Sequence, residues 1–503
     1  MRSRVLVARL VLVGLVGCWA PKAPSPEHEE ARYPRLATYF IESHVDEAVR
    51  ATMAKTDVVI VDAEAGALDR VPLDALRRAR PDLLLLAYLT SEELPYEPSL
   101  ERPLAEARFY EVPPEAWLVD PGSTLVDEID ATSTQLRVRD PSAFTITRPP
   151  SPFYGANEPT YLLVGGEHMR LVAIEGDVLT VERGFRSEPA AHAAGAHVAS
   201  HVVFFAGTWM LNITEPAWRT ILAGDAEYLV AVGPWNGIFL DVCFEDIAWL
   251  NGGVVDLDRD GAPDRDASAR WSRGMRALVD TVRDKVGPRV PIVSNPGAQD
   301  CPHERLDGIM LEGWPIGLQP RFLAFDVGLA RYLRWSRKPP HLTIANAYSP
   351  KIGFGAIKPG DDELARTDYA AMRFGLGLAL MGDGYYTFDN GVFGHYVAWW
   401  YDEYDGAGRG LRWLGRAHGA PRQHGTLAWR VFDHGLAVVN MGTAPARFVP
   451  PAGYAKLAGK QDPVHNDGKP VTGALVVPAR DAYVLATAGA GRGARTPGAR
   501  TQP

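Results

Sequence analysis

Short apolar runs recur along this chain, each ending in a polar corner and most followed by a stretch of helical spacing. Eight such runs fall at 36–41, 58–62, 83–89, 237–241, 290–295, 308–312, 342–347 and 384–388. Unbroken apolar runs of this length suit strands buried on both faces, the mark of parallel pairing. Helical patterns lie between most of them, at 45–55, 72–79, 215–230, 267–286, 321–335 and 363–381. In the segment beginning Ala269-Arg-Trp-Ser-Arg-Gly-Met the apolar positions keep to one side, as in the outer ring of a barrel. Eight strand runs with helices between most of them predict an α/β chain folded as a (β/α)8 TIM barrel over residues 34–415. An open doubly wound sheet is the competitor. No glycine-rich phosphate loop follows any of the runs, which counts against its nucleotide-binding forms.

Two regions break the rhythm. Residues 117–206 are β-branched, alternating and punctuated by glycine, as in Tyr161-Leu-Leu-Val-Gly-Gly-Glu and Asp177-Val-Leu-Thr-Val-Glu. They read as hairpins and predict a β-rich module inserted after the third barrel strand. Residues 424–487 hold short strands between Gly, Pro and Asn turns and predict a C-terminal antiparallel β-sandwich. The strand count requires the run around Asn212 to belong to the chain's return from the insertion.

The N-terminus begins with Arg2 and Arg4 and stays apolar over 5–17 apart from Arg9. Leu15-Val16-Gly17-Cys18 resembles the lipobox of bacterial lipoproteins. The stretch is too short to span a bilayer and reads as a cleaved signal over 1–18, with Cys18 as the lipidated first residue. A Pro/Glu-rich tether over 19–33 then joins a membrane anchor at the bacterial cell envelope to the first domain; an ordinary secretory signal that happens to contain Cys, on a secreted protein, is the alternative. The net charge of −9 offers nucleic acid no basic surface. Cys243 and Cys301 permit one disulfide, and the Gly/Ala/Arg/Thr-rich residues 488–503 read as a disordered tail.

In a barrel the side chains at the C-terminal ends of the strands line the active site. Here those ends are polar: Tyr39, Asp62 and Glu64, Tyr88, Asp241, Asn295, Glu312, Asn346 and Asp389. Asn212, Trp314 and Tyr386 join them as candidate contacts. A ring of carboxylates, amides and aromatic faces suits a polyhydroxylated ligand. Asp241 and Glu312 end the fourth and sixth runs and are placed to flank one bond from two sides. Glycoside hydrolysis uses such a pair; separations of about 5–5.5 Å give retention and roughly 6.5–9.5 Å inversion. In the retaining case Asp241 is the nucleophile and Glu312 the acid/base. Asp246 is the rival acid.

Gly237-Ile-Phe-Leu-Asp241 with Gly308-Ile-Met-Leu-Glu312 resembles the glycoside hydrolase-like barrels of bacteria. These are related to the endo-α-1,4-polygalactosaminidase family and more distantly to α-galactosidase and amylase barrels. The resemblance covers 34–415 and implies the same two roles, an Asp nucleophile on strand four and a proton donor on strand six. It implies a poly- or oligosaccharide substrate, α-linked, and no cofactor for catalysis. The large insertion departs from the simplest members. A glycan-binding lipoprotein on a degenerate barrel is the alternative, favoured if the two acids lie more than about 12 Å apart, beyond glycosidase geometry.

Asp256-Leu-Asp258-Arg-Asp260-Gly261 places oxygen ligands at alternating positions before a glycine, as a calcium loop does. It departs from an EF-hand at Ala267, where a bidentate Glu is expected. The expected ligands of a structural calcium are Asp256, Asp258, Asp260 and Asp264.

Overall fold

Val58-Val-Ile-Val-Asp62 is the plainest strand of the chain: four branched apolar residues in succession, buried throughout. Branched side chains pack well on a pleated surface covered on both faces. Seven more strands of this kind complete the sheet in the computed structural model, which describes residues 31–63, 70–148, 157–300, 303–316, 323–352, 357–391 and 394–488. The signal, Cys18, most of the tether, Glu64, Cys301 and the tail beyond 488 lie outside the described residues. No described helix is long and apolar enough to cross a membrane.

The eight strands are β1 (Ala37–Phe40), β2 (Val58–Asp62), β3 (Leu84–Thr90), β4 (Gly237–Asp241), β5 (Ile292–Ser294), β6 (Gly308–Leu311), β7 (Ile344–Tyr348) and β8 (Tyr385–Asp389). Each pairs in parallel with the next, so spatial order equals chain order. The ring closes where Leu36 bridges Tyr386 and the Tyr386 amide donates to the Arg35 carbonyl at 3.0 Å. This is a (β/α)8 barrel, as the alternating pattern predicts.

Side chains alternate across each strand. Tyr39, Ile60, Leu86, Phe239, Val293, Met310, Ile344 and Tyr385 meet inside the barrel as one cluster. Their neighbours, among them Val59, Val61, Leu240, Ile309 and Ala345, face outward and join the larger core beneath the helices. Those helices are Glu47–Met53, Arg70–Ala79, Pro216–Val232, Ala267–Val286, Phe325–Ser336 and Tyr369–Ala379. The helix expected at 363–381 is instead two, Asp361–Arg366 and Tyr369–Ala379. Asp368 breaks it: its ψ of 65° is not helical, and its carboxylate accepts from the Ser349 hydroxyl at 2.6 Å and pairs with Lys351 at 3.1 Å. Between β5 and β6 there is no helix among the described residues.

The chain leaves β3 through Glu93–Pro95 and returns through Thr208–Met210, and these two segments pair antiparallel. Asn212 therefore belongs to the return and not to a ninth strand. Between them lies a six-stranded antiparallel sheet in the spatial order Ser123–Thr124, His197–Ser200, Tyr161–Val164, Glu167–Glu175, Val178–Glu182, Gln135–Arg137. It has its own core around Leu136, Leu162, Met169 and Leu179. Its root is aromatic: Trp209 stacks on His201 at 3.8 Å and packs against Trp117, Phe109 and Tyr161.

After the barrel a five-stranded antiparallel sheet and a two-stranded one form the C-terminal domain. Helix Tyr369–Ala379 packs against its strands Gly435–Asn440 and Asp481–Thr487. The approach is close enough that a Cβ on Gly377 would lie 2.5 Å from that of Ala482. Arg373, on the same helix, crosses the junction with a two-pronged bond to Asp481 at 2.9 and 3.0 Å and a third to Asp462 at 2.7 Å. Glu403 lies 3.9 Å away, and Arg373, Asp481 and Glu403 are all buried. Removing the one cation from such a group leaves buried carboxylates uncompensated, at a cost of about 3–5 kcal/mol. Arg373→Met is therefore expected to lower the unfolding free energy by about that amount, measured by urea denaturation. An unchanged midpoint would show that the junction does not depend on this charge.

Candidate active site

The alternation that fills the barrel interior also aims the chemistry. Phe239 points inward on β4, so Asp241 two residues on points inward at the mouth. Val293 precedes Asn295 in the same phase, Met310 precedes Glu312, Ile344 precedes Asn346, Leu86 precedes Tyr88 and Ile60 precedes Asp62. Tyr385 and Asp389 share one phase of β8.

These side chains are bonded to one another. The Tyr88 hydroxyl donates to Asp241 Oδ2 at 2.6 Å. Asn295 Nδ2 donates to Asp241 Oδ1 at 2.8 Å and to Glu312 Oε2 at 2.7 Å. Two oxygens bound to one nitrogen lie no further apart than the two bonds laid end to end, about 5.5 Å. On its other side Glu312 Oε1 faces His395 Nε2 at 3.2 Å, and His395 Nδ1 lies 2.9 Å from Asp389 Oδ2. Asp389 also accepts from Asn346 Nδ2 at 2.7 Å and from the Gly391 amide at 2.9 Å.

Electrostatics follows from the crowding. Burial first, and then the charge of Glu312, push Asp241 up to about 6, against the bonds from Tyr88 and Asn295. Burial and the nearby carboxylates hold the phenols of Tyr39 and Tyr88 well above their ordinary range, so both stay protonated donors. Burial disfavours an imidazolium at His395, but Asp389 and Glu312 outweigh it and hold His395 up to about 10. Tyr39 lies against that ring, with centroids 4.2 Å apart. The backbone just past Asp241 is strained: Val242 has φ 52°, a region that branched residues avoid. The Ser91 amide, donating to the Asp241 carbonyl at 2.9 Å, and the Cys243 amide, donating to the Asn295 carbonyl at 3.0 Å, hold it there.

Of the residues expected at the mouth, Tyr39, Asp62, Tyr88, Asp241, Asn295, Glu312, Asn346 and Asp389 come together. Asp62 sits opposite Tyr88 in the β2–β3 register. Three others lie elsewhere. Tyr386 has the outward phase of β8, and its hydroxyl donates to the Met372 carbonyl beneath the helix layer at 2.8 Å. Trp314 is buried against Tyr332, ring centroids 5.2 Å apart, under helix Phe325–Ser336. Asn212 is buried at the insertion's return, where Nδ2 donates to the Leu257 carbonyl at 2.9 Å and Oδ1 accepts from Thr214. Asp389 is at the mouth, where its oxygens are taken by protein donors and it is 1% exposed. Asp246 is exposed and accepts from the Ala248 amide at 2.8 Å. His395 is absent from the sequence expectations. It stands beyond β8 in a loop begun by Asn390-Gly391 and reached through Gly394, and a glycine-flanked histidine just past a strand end is the only signal for it.

In the acidic loop, carboxylate oxygens of Asp256, Asp258 and Asp260 come within 4.8 Å of one another. Asp256 already accepts from the Arg259 and Gly261 amides at 2.6 and 2.9 Å. Asp264, the fourth expected ligand, turns to Arg270 at 2.6 Å and to the Leu257 amide at 2.5 Å. Arg270 also holds Asp258 at 2.9 Å, so a guanidinium supplies positive charge to this loop. Cys243 is buried beside Ser91, Sγ to Oγ 3.3 Å.

Residues 195–436 match the family described as hypothetical glycosyl hydrolase family 15, a span running through β4–β8 into the C-terminal sheet. No curated protein matches the chain. Among solved structures, the glycoside hydrolase domain of PelA from Pseudomonas aeruginosa is similar at 13% identity, over 68% of this chain and 91% of that one, with a TM-score of 0.34. An α-amylase from Anoxybacillus is similar at 10% identity over 88% and 89% of the two chains, with a TM-score of 0.39. The maltogenic α-amylase AmyB from Thermotoga neapolitana gives 10% identity over 90% and 98%, again with a TM-score of 0.39. The family match spans the strands that carry Asp241 and Glu312, and over that span the barrel is similar to glycoside hydrolase-like ones.

Proposed function

We propose that this protein hydrolyses an α-linked poly- or oligosaccharide with retention of anomeric configuration. Asp241 is the nucleophile and Glu312 the acid/base. The observation that carries the reading is the shared amide of Asn295: it keeps one oxygen of each carboxylate within about 5.5 Å of the other, which supports a retaining pair over the wider separation of an inverting one. It also argues against a barrel that only binds glycan, whose acids have no reason to converge. The α linkage follows from the resemblance of the two strand motifs to α-acting barrels.

The partners of each acid support the division of roles. Asp241 is held by a phenol and an amide, which donate hydrogen bonds without exchanging protons near neutral pH. Glu312 has an imidazole on one oxygen, a group able to give up a proton and take it back. Asp241 attacks the anomeric carbon as the glycosidic bond breaks, and Glu312 protonates the leaving oxygen. Glu312 then takes a proton from the water that cleaves the glycosyl ester and frees Asp241. The reading includes attachment to the bacterial envelope through a lipidated Cys18.

Three outcomes are expected. On a glycan panel with product anomers read by NMR, the wild type releases a product of unchanged configuration, while Asp241→Asn and Glu312→Gln each lower kcat by at least about 10²-fold. Turnover like that of the wild type in either variant, with its circular dichroism unchanged, would sink the assignment. Because the nucleophile acts as a carboxylate, kcat/KM falls about tenfold per unit below about pH 6. An acid limb near pH 4, the ordinary carboxylate range, would mean that Asp241 is not the group titrating. In cells, Cys18→Ser is expected to abolish labelling by radioactive palmitate and move the protein to the soluble fraction. Membrane association unchanged by that substitution removes the anchor.

A further inference from the structure

Two carboxylates this close do not both ionise readily unless a cation stands by. The proposed chemistry nevertheless needs Asp241 ionised and a proton available to Glu312. His395 meets both needs. Its ring bridges Glu312 and Asp389 at 3.2 and 2.9 Å and is 2% exposed. Asp389 is in turn fixed by Asn346 and the Gly391 amide. The charged and titratable groups facing the ring are therefore Glu312 from the end of β6, Asp389 from β8 and Tyr39 from β1.

The backbone is built around this placement. His395 adopts φ 57°, a left-handed conformation uncommon outside glycine, and such backbone gathers at functional sites. Its amide donates to Asn390 Oδ1 at 2.8 Å, and its carbonyl accepts from the Ile41 amide at 2.9 Å, tying the loop to the chain just beyond β1.

We propose that His395, oriented by Asp389, is a positioning residue that stores the catalytic proton of Glu312; this rests on the hydrolytic reading above. At rest the proton lies on Nε2, and Glu312 is a carboxylate beside an imidazolium. As the glycosidic C–O bond breaks and its electron pair goes to the leaving oxygen, an Asp241 oxygen bonds the anomeric carbon. The Nε2 proton crosses to Glu312 Oε1, and Glu312 delivers it to the leaving oxygen. His395 is then neutral, keeping its other proton on Nδ1 against Asp389. In the second half water bonds the anomeric carbon, the ester to Asp241 breaks, and the proton released by water passes through Glu312 back to Nε2.

A dependence on leaving group separates this role from a structural one. The full-length protein and its His395→Gln and Asp389→Asn variants are assayed on the natural glycan and on the dinitrophenyl glycoside of the sugar it releases. The second leaving group departs without a proton. His395→Gln is expected to lower kcat for glycosylation on the order of 10²-fold on the glycan and to leave the burst of dinitrophenol within a few-fold of wild type. Asp389→Asn, which leaves the imidazole in the chain, is expected to show the same pattern in weaker form. Equal losses on both substrates, or none on either, overturn the proton store while leaving the hydrolase reading intact. A wild type that cleaves no glycan and no aryl glycoside overturns both.

Discussion

Everything at the mouth of this barrel depends on the two-residue alternation of its parallel strands. In a closed ring each inward position is forced: the side chain either fills the interior or, at the last inward step, emerges at the rim. Phe239 and Met310 fill, and Asp241 and Glu312 emerge two residues later. A shift of one residue in either strand would send the acid outward beneath the helices, where Tyr386 lies. The hydrophobic packing of the interior and the aim of Asp241 and Glu312 are thus one constraint.

The second layer of organisation is the management of charge. Asp241, Glu312 and Asp389 crowd the rim with His395 as the cation bonded among them. The amide of Asn295 ties Asp241 to Glu312, and that of Asn346 donates to Asp389. Such a network is valuable only when complete, since an unmatched buried carboxylate is costly. The same logic recurs at the junction with the C-terminal domain, where Arg373 serves several acids at once.

Much of this was legible in the chain. Eight apolar runs mark the eight strands, because strands buried on both faces have a composition that no surface strand shares. The acids and Asn295 are visible because a polar residue ending such a run has one place to go. Legibility fails where phase or local competition decides. Tyr386 lies within an apolar run whose phase is settled only by which neighbour faces in. Trp314 stands just past a strand end, yet follows the chain into the helix layer. The contact of Asp389 with His395 is made by a loop, and loop conformation carries no periodic signal. The aspartates of the acidic loop show their ligand spacing in the sequence, and Asp256, Asp258 and Asp260 do come together, but the approach of Arg270 from the following helix leaves no mark in that spacing.

The ribbon at the root of the β insertion bears on how the chain assembles. Thr90 ends β3 and Gly237 opens its neighbour β4, so their pairing closes a very long loop. Closure entropy grows only with the logarithm of loop length, but contacts between residues far apart in sequence slow folding. Pairing of Glu93–Pro95 with Thr208–Met210 shortens that path, because once the ribbon forms, β3 and β4 are joined by little more than helix Pro216–Val232. The barrel then meets the insertion as a branch and not as an interruption, which explains how a module with its own core sits between two adjacent strands without disturbing their register.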